Sequence, residues 1–272
     1  LKSIGNSAFS DCKNLTNIGD VSNVEYIGEH AFSNSGITAL NLSGKLTSIK
    51  TQTFAFCENL TTIGDVSNVE YVENMAFIRS GVTVLNFSDK LTSIGDWTFD
   101  NCIKLTSIGD VSNVESVGIS AFKGCSISSL NFSQKLTSIK DAAFGECKKL
   151  TTVGDLSNVS QIGGGAFSYC DTLTSVNLTN KVTYIGEGTF QNCKKLTSVG
   201  DMSNVVQLGS YAFYDCNNIT SLNFSNKLTS IGENTFENCY CITSVGDVSN
   251  VEKLGRTAFA GSAITSLNFS NK

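Results

Sequence analysis

Phenylalanine recurs along the whole 272-residue chain at intervals of 22 or 23 residues, and this spacing constrains the fold more than any other feature. A repeat of this length is typical of a solenoid, because one unit is too small to bury its own apolar face and is stabilised by stacking on its neighbours. We therefore expect the recurring Phe residues to form a structural spine. They are Phe9, Phe32, Phe54, Phe77, Phe99, Phe122, Phe144, Phe167, Phe190, Phe213, Phe236 and Phe259.

The unit follows the pattern L-x-x-I-G-x-x-A/T-F-x-x-C-x-x-L-T-x-I, and two types of unit alternate. The first type carries I-G-D-x-S-N, as at 108–113, and the second carries L-N-F/L-S/T-x-K, as at 130–135. In four second-type units the step from the Cys position to the next apolar residue is one residue shorter, as at 125–127. The sequence predicts a single solenoid domain over 1–272 without evident caps. Its six double repeats are 1–45, 46–90, 91–135, 136–181, 182–227 and 228–272.

This pattern resembles the leucine-rich repeat of the BspA-like, or Treponema, type. The stretch 94–108 matches the signature I-G-x-x-A-F-x-x-C-x-x-L-T-S-I with Thr98 in place of Ala, and 117–130 matches it one residue short. The resemblance covers the entire chain, although the chain departs from the family by having no Pro between strand and turn. It implies a surface or secreted protein of bacteria or protists that takes part in adhesion and matrix interaction.

The expected fold is a leucine-rich repeat solenoid of about 12 coils of 22–23 residues. The β-branched residues of the L-T-S-I stretch favour one short parallel β-strand per coil. The few residues that follow each spine Phe suffice only for a turn or a short 3-10 segment on the convex side. Gly follows the Ile in most units, which indicates either a positive φ or close packing of the backbone.

Composition argues against catalysis, nucleic-acid binding and a membrane span. The single histidine, His30, nearly excludes Ser-His-Asp and Cys-His catalysis and histidine-based metal sites. The net charge of −5 disfavours nucleic acid as a partner. No apolar run approaches the roughly 18 residues of a transmembrane helix. We expect a protein that is not an enzyme, needs no cofactor or metal, and has no membrane span in this segment.

Cysteine forms a column of its own. Nine of the ten Cys lie three residues after a spine Phe, and Ser fills the other three units. This exchange indicates a small buried slot, so we interpret the column as stacked reduced thiols that behave as small apolar groups. One alternative is disulfides between neighbouring coils, which the parallel Cβ directions disfavour. The other is a metal ribbon, which is disfavoured because a straight row of thiols does not supply tetrahedral coordination. Cys241 is out of register and is the candidate free or intermolecularly paired thiol.

Two polar columns have both a structural and a functional interpretation. Thr follows the second apolar anchor in eleven units, which favours side-chain hydrogen bonding between coils, with an ice-binding array as the alternative. Asp occurs once per double repeat, as at Asp110, where it favours a turn. Calcium held between these turns is the alternative, but one Asp per turn offers too few oxygen ligands.

Asparagine recurs in phase with the double repeat, each time at the start of N-x-S/T. The flanking apolar residues should point inward, which turns these Asn side chains outward. In a secreting eukaryote they are candidate N-glycosylation sites, and in a bacterium they are solvent-facing Asn. They are Asn41, Asn86, Asn131, Asn177, Asn223 and Asn268.

Nearly every notable residue belongs to a column, and no convergent cluster interrupts the repeat. We therefore hypothesise a non-enzymatic structural or adhesive protein, extracellular or on the cell surface, whose scaffold solenoid stacks end to end or belongs to a long fibre. The alternative is a discrete recognition module that binds a protein or glycan ligand on its strand face. Trp97 and Tyr214 depart from their columns and are the candidate contact residues.

Overall fold

The computed structural model describes residues 1–270 and is a parallel β-solenoid, so the last two residues of the expected domain lie outside the described chain. We number its coils by their spine Phe, from coil 1 with Phe9 to coil 12 with Phe259. The described residues form strands and turns but no helix, and hence no helix able to cross a membrane.

Each coil contributes a two-residue strand, and coils 2–11 add a longer strand of three to five residues. The two-residue strands are β1 and every even-numbered strand, and the longer ones are the odd-numbered strands from β3. In chain order the strands are β1 (Ser3–Ile4), β2 (Tyr26–Ile27), β3 (Ala39–Ser43), β4 (Ser48–Ile49), β5 (Thr62–Asp65), β6 (Tyr71–Val72), β7 (Val84–Phe87), β8 (Ser93–Ile94), β9 (Ser107–Gly109), β10 (Ser116–Val117), β11 (Ser129–Phe132), β12 (Ser138–Ile139), β13 (Thr152–Gly154), β14 (Gln161–Ile162), β15 (Ser175–Leu178), β16 (Tyr184–Ile185), β17 (Ser198–Gly200), β18 (Gln207–Leu208), β19 (Ser221–Phe224), β20 (Ser230–Ile231), β21 (Ser244–Gly246) and β22 (Lys253–Leu254).

All strand pairs are parallel and join successive coils. The two-residue strands form ladders of six strands (β4 to β14), four strands (β16 to β22) and two strands (β1 and β2). The longer strands pair only two by two, each from a second-type coil to the following first-type coil, with a one-residue irregularity in register. We call these two surfaces the short-strand face and the long-strand face.

The predicted solenoid of short parallel strands is confirmed, and the second strand of each coil is an addition to it. The reason is visible in coil 5, where the sequence L-T-S-I occurs twice, at 91–94 and at 105–108. Each copy ends in a strand, β8 and β9, whose single buried Ile points inward. The segment around each spine Phe is a run of turns.

The spine Phe residues form one continuous stack of rings through the core. Neighbouring ring centroids are 5.1–5.6 Å apart with interplanar angles of 2–23°. The ten inner rings are fully buried, whereas Phe9 and Phe259 are partly buried. Burial of each inner ring contributes roughly 1.5–3 kcal/mol, and aromatic stacking adds about 0.5–1.5 kcal/mol.

Two positions in every coil have a positive φ, two residues before and two residues after the spine Phe. In coil 5 these are Trp97 at 54° and Asn101 at 56°. Twenty such residues in the described chain are not glycine, and each pays of order 1–3 kcal/mol for this conformation. In all of them except Thr257 of the last coil, the N–H group donates to a carbonyl of the next coil, Trp97 to Ile119 at 2.6 Å and Asn101 to Lys123 at 2.7 Å, and these bonds offset the cost.

The Gly that follows Ile is explained by close packing. A Cβ on Gly118 would lie 2.3 Å from the carbonyl oxygen of Gly95 in the preceding coil, so only glycine lets the two backbones approach. A positive φ belongs instead to the Gly of the I-G-D motif, as in Gly109 at 81°.

Replacing a central spine ring tests the stack. Phe144 is fully buried between Phe122 and Phe167, with centroid distances of 5.5 and 5.3 Å. We expect Phe144→Ala to lower the free energy of unfolding by about 3–5 kcal/mol, because it leaves a cavity that the neighbouring coils do not fill. The matched variant Phe259→Ala, at a partly buried ring with one stacked neighbour, should lose clearly less. Urea unfolding measures both, and equal losses would contradict the role assigned to stacking.

Candidate binding surfaces

The cysteine column is part of the packing between coils. In eight coils the Sγ of a buried Cys donates to the carbonyl of the spine Phe in the preceding coil, at 2.9–3.1 Å. Burial raises the thiol pKa, to about 12 for Cys102 and Cys147. All ten Cys are free, and Cys12 and Cys241 are exposed. The interpretation as reduced thiols agrees with this arrangement, and intermolecular pairing of Cys241 stays a prediction.

The threonine column also serves contacts between coils. The hydroxyl of Thr61 donates to the Thr38 carbonyl, and that of Thr106 to the Thr83 carbonyl, each at 3.1 Å. The same bond recurs in five other coils. In these seven coils the hydroxyl proton is used between coils, as the structural interpretation of this column expects.

Each recurring Asp organises a turn, and four of the six also accept a hydrogen bond from the Asn of the next coil. Asp110 Oδ1 accepts from the backbone N–H of Ser112 at 2.8 Å and from Asn131 Nδ2 at 2.9 Å, while Asn131 Oδ1 accepts from the N–H of Val111 at 3.0 Å. The backbone hydrogen bond from Ser112 lowers the pKa of Asp110 below its ordinary value. Among residues 1–270, no group of three or more His, Cys, Asp or Glu is placed to hold a metal ion.

The candidate glycosylation residues are all exposed, but they differ in what they contact. Asn41, Asn177 and Asn223 bond the Asp turn of the preceding coil as Asn131 does. The side chain of Asn86 forms no hydrogen bond within the described chain. The hydroxyl of the N-x-S/T motif is also engaged, as in Ser133, which donates to the Ser112 carbonyl at 2.6 Å. These contacts give the Asn row a structural role, and its glycosylation stays a prediction.

The two candidate contact residues do not come together. Trp97 lies in coil 5 at a position of positive φ, and Tyr214 lies in coil 10, roughly 24 Å away along the stack. Both are half-buried. Tyr214 packs edge-on against Tyr211 at 5.8 Å and accepts a hydrogen bond from Asn238 at 3.4 Å. The packing of Tyr214 gives it a structural role, and no shared contact surface contains both residues.

The structure places other aromatic side chains in better positions for contact. Tyr26, Tyr71 and Tyr184 stand on the short-strand face with 45–50% of each residue exposed. A shallow groove of about 410 Å³ adjoins Tyr184 beside Gln161 and Ser138. The sequence signal is a Tyr directly before the inward Ile or Val, in a column that Ser, Gln or Lys fills in the other coils.

A second groove lies on the edge of the solenoid where the chain turns after the Cys column. It has a volume of about 450 Å³ and forms at coil 4, whose turn is one residue shorter than those of coils 3 and 5. Arg79, Asn59 and Lys104 line it together with Ile103, which is 65% exposed. The shorter turn of coil 4, between the longer turns of coils 3 and 5, therefore leaves a groove in this edge, which we call the coil 4 notch.

Comparison with known proteins gives one family. The model of the BspA type leucine rich repeat region, in six copies, matches residues 1–106, 74–197 and 160–272. No curated protein sequence matches the chain.

Solved structures show the same architecture. A leucine-rich repeat protein from Bacteroides ovatus is 25% identical, with a TM-score of 0.59 over 96% of this chain and 80% of that one. One from Eubacterium ventriosum is 21% identical, with a TM-score of 0.58 over 91% and 82%. A leucine rich cell surface protein from Faecalibacterium prausnitzii is 21% identical, with a TM-score of 0.54 over 98% and 87%.

Thiol accessibility tests the arrangement of the cysteines. In the native protein at pH 8 under reducing pretreatment, we expect a thiol reagent to modify Cys12 and Cys241 quickly and the eight buried thiols negligibly, because the thiolate is the reactive form and burial raises the pKa. In denaturant all ten should react. Peptide mass spectrometry identifies the sites. Rapid native labelling at Cys147 or Cys193 would contradict the buried column.

Proposed function

Because the chain belongs to the BspA-type leucine-rich repeat family, we propose that it is a non-enzymatic protein of the cell surface or extracellular space whose solenoid is an adhesive scaffold. Support comes from how its polar columns are used. The Cys, Thr and Asp columns each bond one coil to the next, as Cys147, Thr106 and Asp110 do. What remains for function is the set of long exposed faces, and such faces are what solenoids use to bind partners.

Localisation belongs to the same proposal. A structure of similar fold is described as a leucine rich cell surface protein, and the expected partners of such a surface are proteins or glycans. Self-association end to end is the extended form of the proposal. Within the described chain every coil interface repeats the ring stack and the backbone hydrogen bonds between coils, so a coil of a second molecule can add with the same contacts.

Surface exposure is tested on intact cells of the source organism. We expect an antibody against the solenoid to label cells without permeabilisation and gentle protease treatment to remove the label, because a surface scaffold is accessible from outside. An antibody against a cytosolic protein of the same cells is the control. Labelling that needs permeabilisation would refute the proposal. Electron microscopy of the native material then separates fibres from single arcs.

A recognition module on the short-strand face is the second candidate, favoured by the exposure of Tyr26, Tyr71 and Tyr184. The parallel partners of Tyr71 in the ladder are Ser48 and Ser93, so this column accepts Ser without a change of backbone.

Replacing the three tyrosines by Ser discriminates between the two candidates. For a discrete recognition module we expect protein-coated beads to lose retention on an array of glycans and matrix proteins. For an adhesive scaffold we expect retention on most ligands. Tyr240→Ser is the matched control, because Tyr240 is 60% exposed but lies off the strand faces. Loss of retention with the triple variant alone would replace the scaffold proposal by the recognition module.

A further inference from the structure

One edge of the solenoid carries positive charge although the chain as a whole carries −5. We call it the turn edge and define it, over coils 3–9, as the residues that follow each spine Phe up to the next apolar anchor. These residues are 55–59, 78–81, 100–104, 123–126, 145–149, 168–172 and 191–195. They include seven cationic side chains against four carboxylates, so the sign of the charge is locally reversed.

Most of these cations are not used by the fold. Within the described chain, Lys104, Lys148, Lys149 and Lys195 form no ion pair or side-chain hydrogen bond, and neither does Arg79. The ion pairs on this edge are Lys123 with Glu146 at 3.4 Å and Lys194 with Asp215 at 3.9 Å.

Lysines elsewhere on the solenoid behave differently. Lys45 donates to Asn23 of the preceding coil at 2.7 Å, and Lys90, Lys181 and Lys227 donate to the equivalent Asn residues. The fold thus accounts for that row of lysines and leaves the turn-edge row unexplained.

The free cations lie in a line with a regular step. Lys104 belongs to coil 5, Lys148 and Lys149 to coil 7, and Lys195 to coil 9. Strand spacing places such positions roughly 10 Å apart along the axis. At one end of the line, the coil 4 notch adds Arg79, the amides of Asn59 and Asn101, and the apolar side chain of Ile103. The carboxylate of Glu58 also lines the notch, so Arg79 and Lys104 leave it with a net positive charge of one.

We propose that the turn edge binds a linear anionic polysaccharide. Arg79 and Lys104 pair with the carboxylate or sulfate of a sugar in the notch, while the Asn amides bond its hydroxyls and Ile103 covers its apolar face. The lysines of coils 7 and 9 contact anionic groups farther along the polymer. This inference rests on the proposed adhesive function and names one ligand class for it.

The spacing favours a polysaccharide over a nucleic acid. A nucleic-acid strand carries one phosphate every ~3.4 Å, which is far denser than a cation group at every second coil. A polysaccharide with an acidic group on every second sugar is a sparser polyanion and fits the step better. Asp171 lies within the line at coil 8, is half-exposed, and opposes every anion. Its removal should therefore strengthen binding.

Binding to defined polymers tests the proposal. The probes are hyaluronate and unsulfated chondroitin, which carry one carboxylate on every second sugar. Neutral dextran is the uncharged polymer, and single-stranded DNA and anionic phospholipid vesicles are the competing polyanions. The edge variant replaces Lys104, Lys148, Lys149 and Lys195 by Gln. The matched control replaces Lys45, Lys90, Lys181 and Lys227 by Gln, which removes the same charge. Circular dichroism and urea unfolding establish that both variants are folded.

We expect native protein to bind at least one acidic polysaccharide in low salt and dextran not at all. The edge variant should lose about tenfold or more in affinity and the control less than about threefold, because only the edge cations meet the polymer. Asp171→Asn should bind more tightly, and Arg79→Gln more weakly.

Three results would overturn the proposal: no binding to either polymer, equal losses in the two quadruple variants, or tighter binding of DNA or vesicles than of polysaccharide. None of them bears on whether intact cells display the protein, so failure here is distinguishable from failure of the proposed function.

Discussion

The stack of spine rings is the contact on which the rest of the molecule depends. A coil of 22 or 23 residues has no core of its own, and each ring is buried only because another lies on either side. The stack holds successive coils at a regular step, with neighbouring ring centroids 5.1–5.6 Å apart. Any polar group that turns toward a neighbouring coil must therefore find a partner at that same step, or remain unpaired in every repeat.

This requirement explains why the most conspicuous columns in the sequence are structural. A thiol at Cys147, a hydroxyl at Thr106 and a carboxylate at Asp110 each satisfy a backbone group of their own or an adjacent coil. Regular spacing, which makes such columns resemble binding arrays in the sequence, is the consequence of repeating one local bond. A column that repeats without exception is thus evidence of use between coils, and function has to be sought in the residues that vary.

Much of the fold could be predicted because one period governs the whole chain. The spine, the parallel strands and the buried thiols follow from spacing alone. The second strand of a coil did not follow from spacing, because the sequence L-T-S-I occurs twice in coil 5 and forms a strand each time, at Ile94 and at Ile108. The columns of positive φ were also missed. Residues such as Trp97 and Met75 are poor candidates for this conformation, and only the hydrogen bonds of the neighbouring coil hold them there.

The surfaces were less predictable because they depend on relations between coils that are far apart in sequence. The shortened turn of four units is visible as a missing residue, but its effect is a notch bounded by Asn59 and Lys104 on two other coils. Likewise, a lysine looks the same in every unit until the structure shows that Lys45 has an Asn to bond and that Lys149 has no partner in the described chain. In a solenoid the fold uses one set of side chains identically in each coil. Side chains that it does not use differ from coil to coil without cost to stability, and there the sequence can specify a ligand.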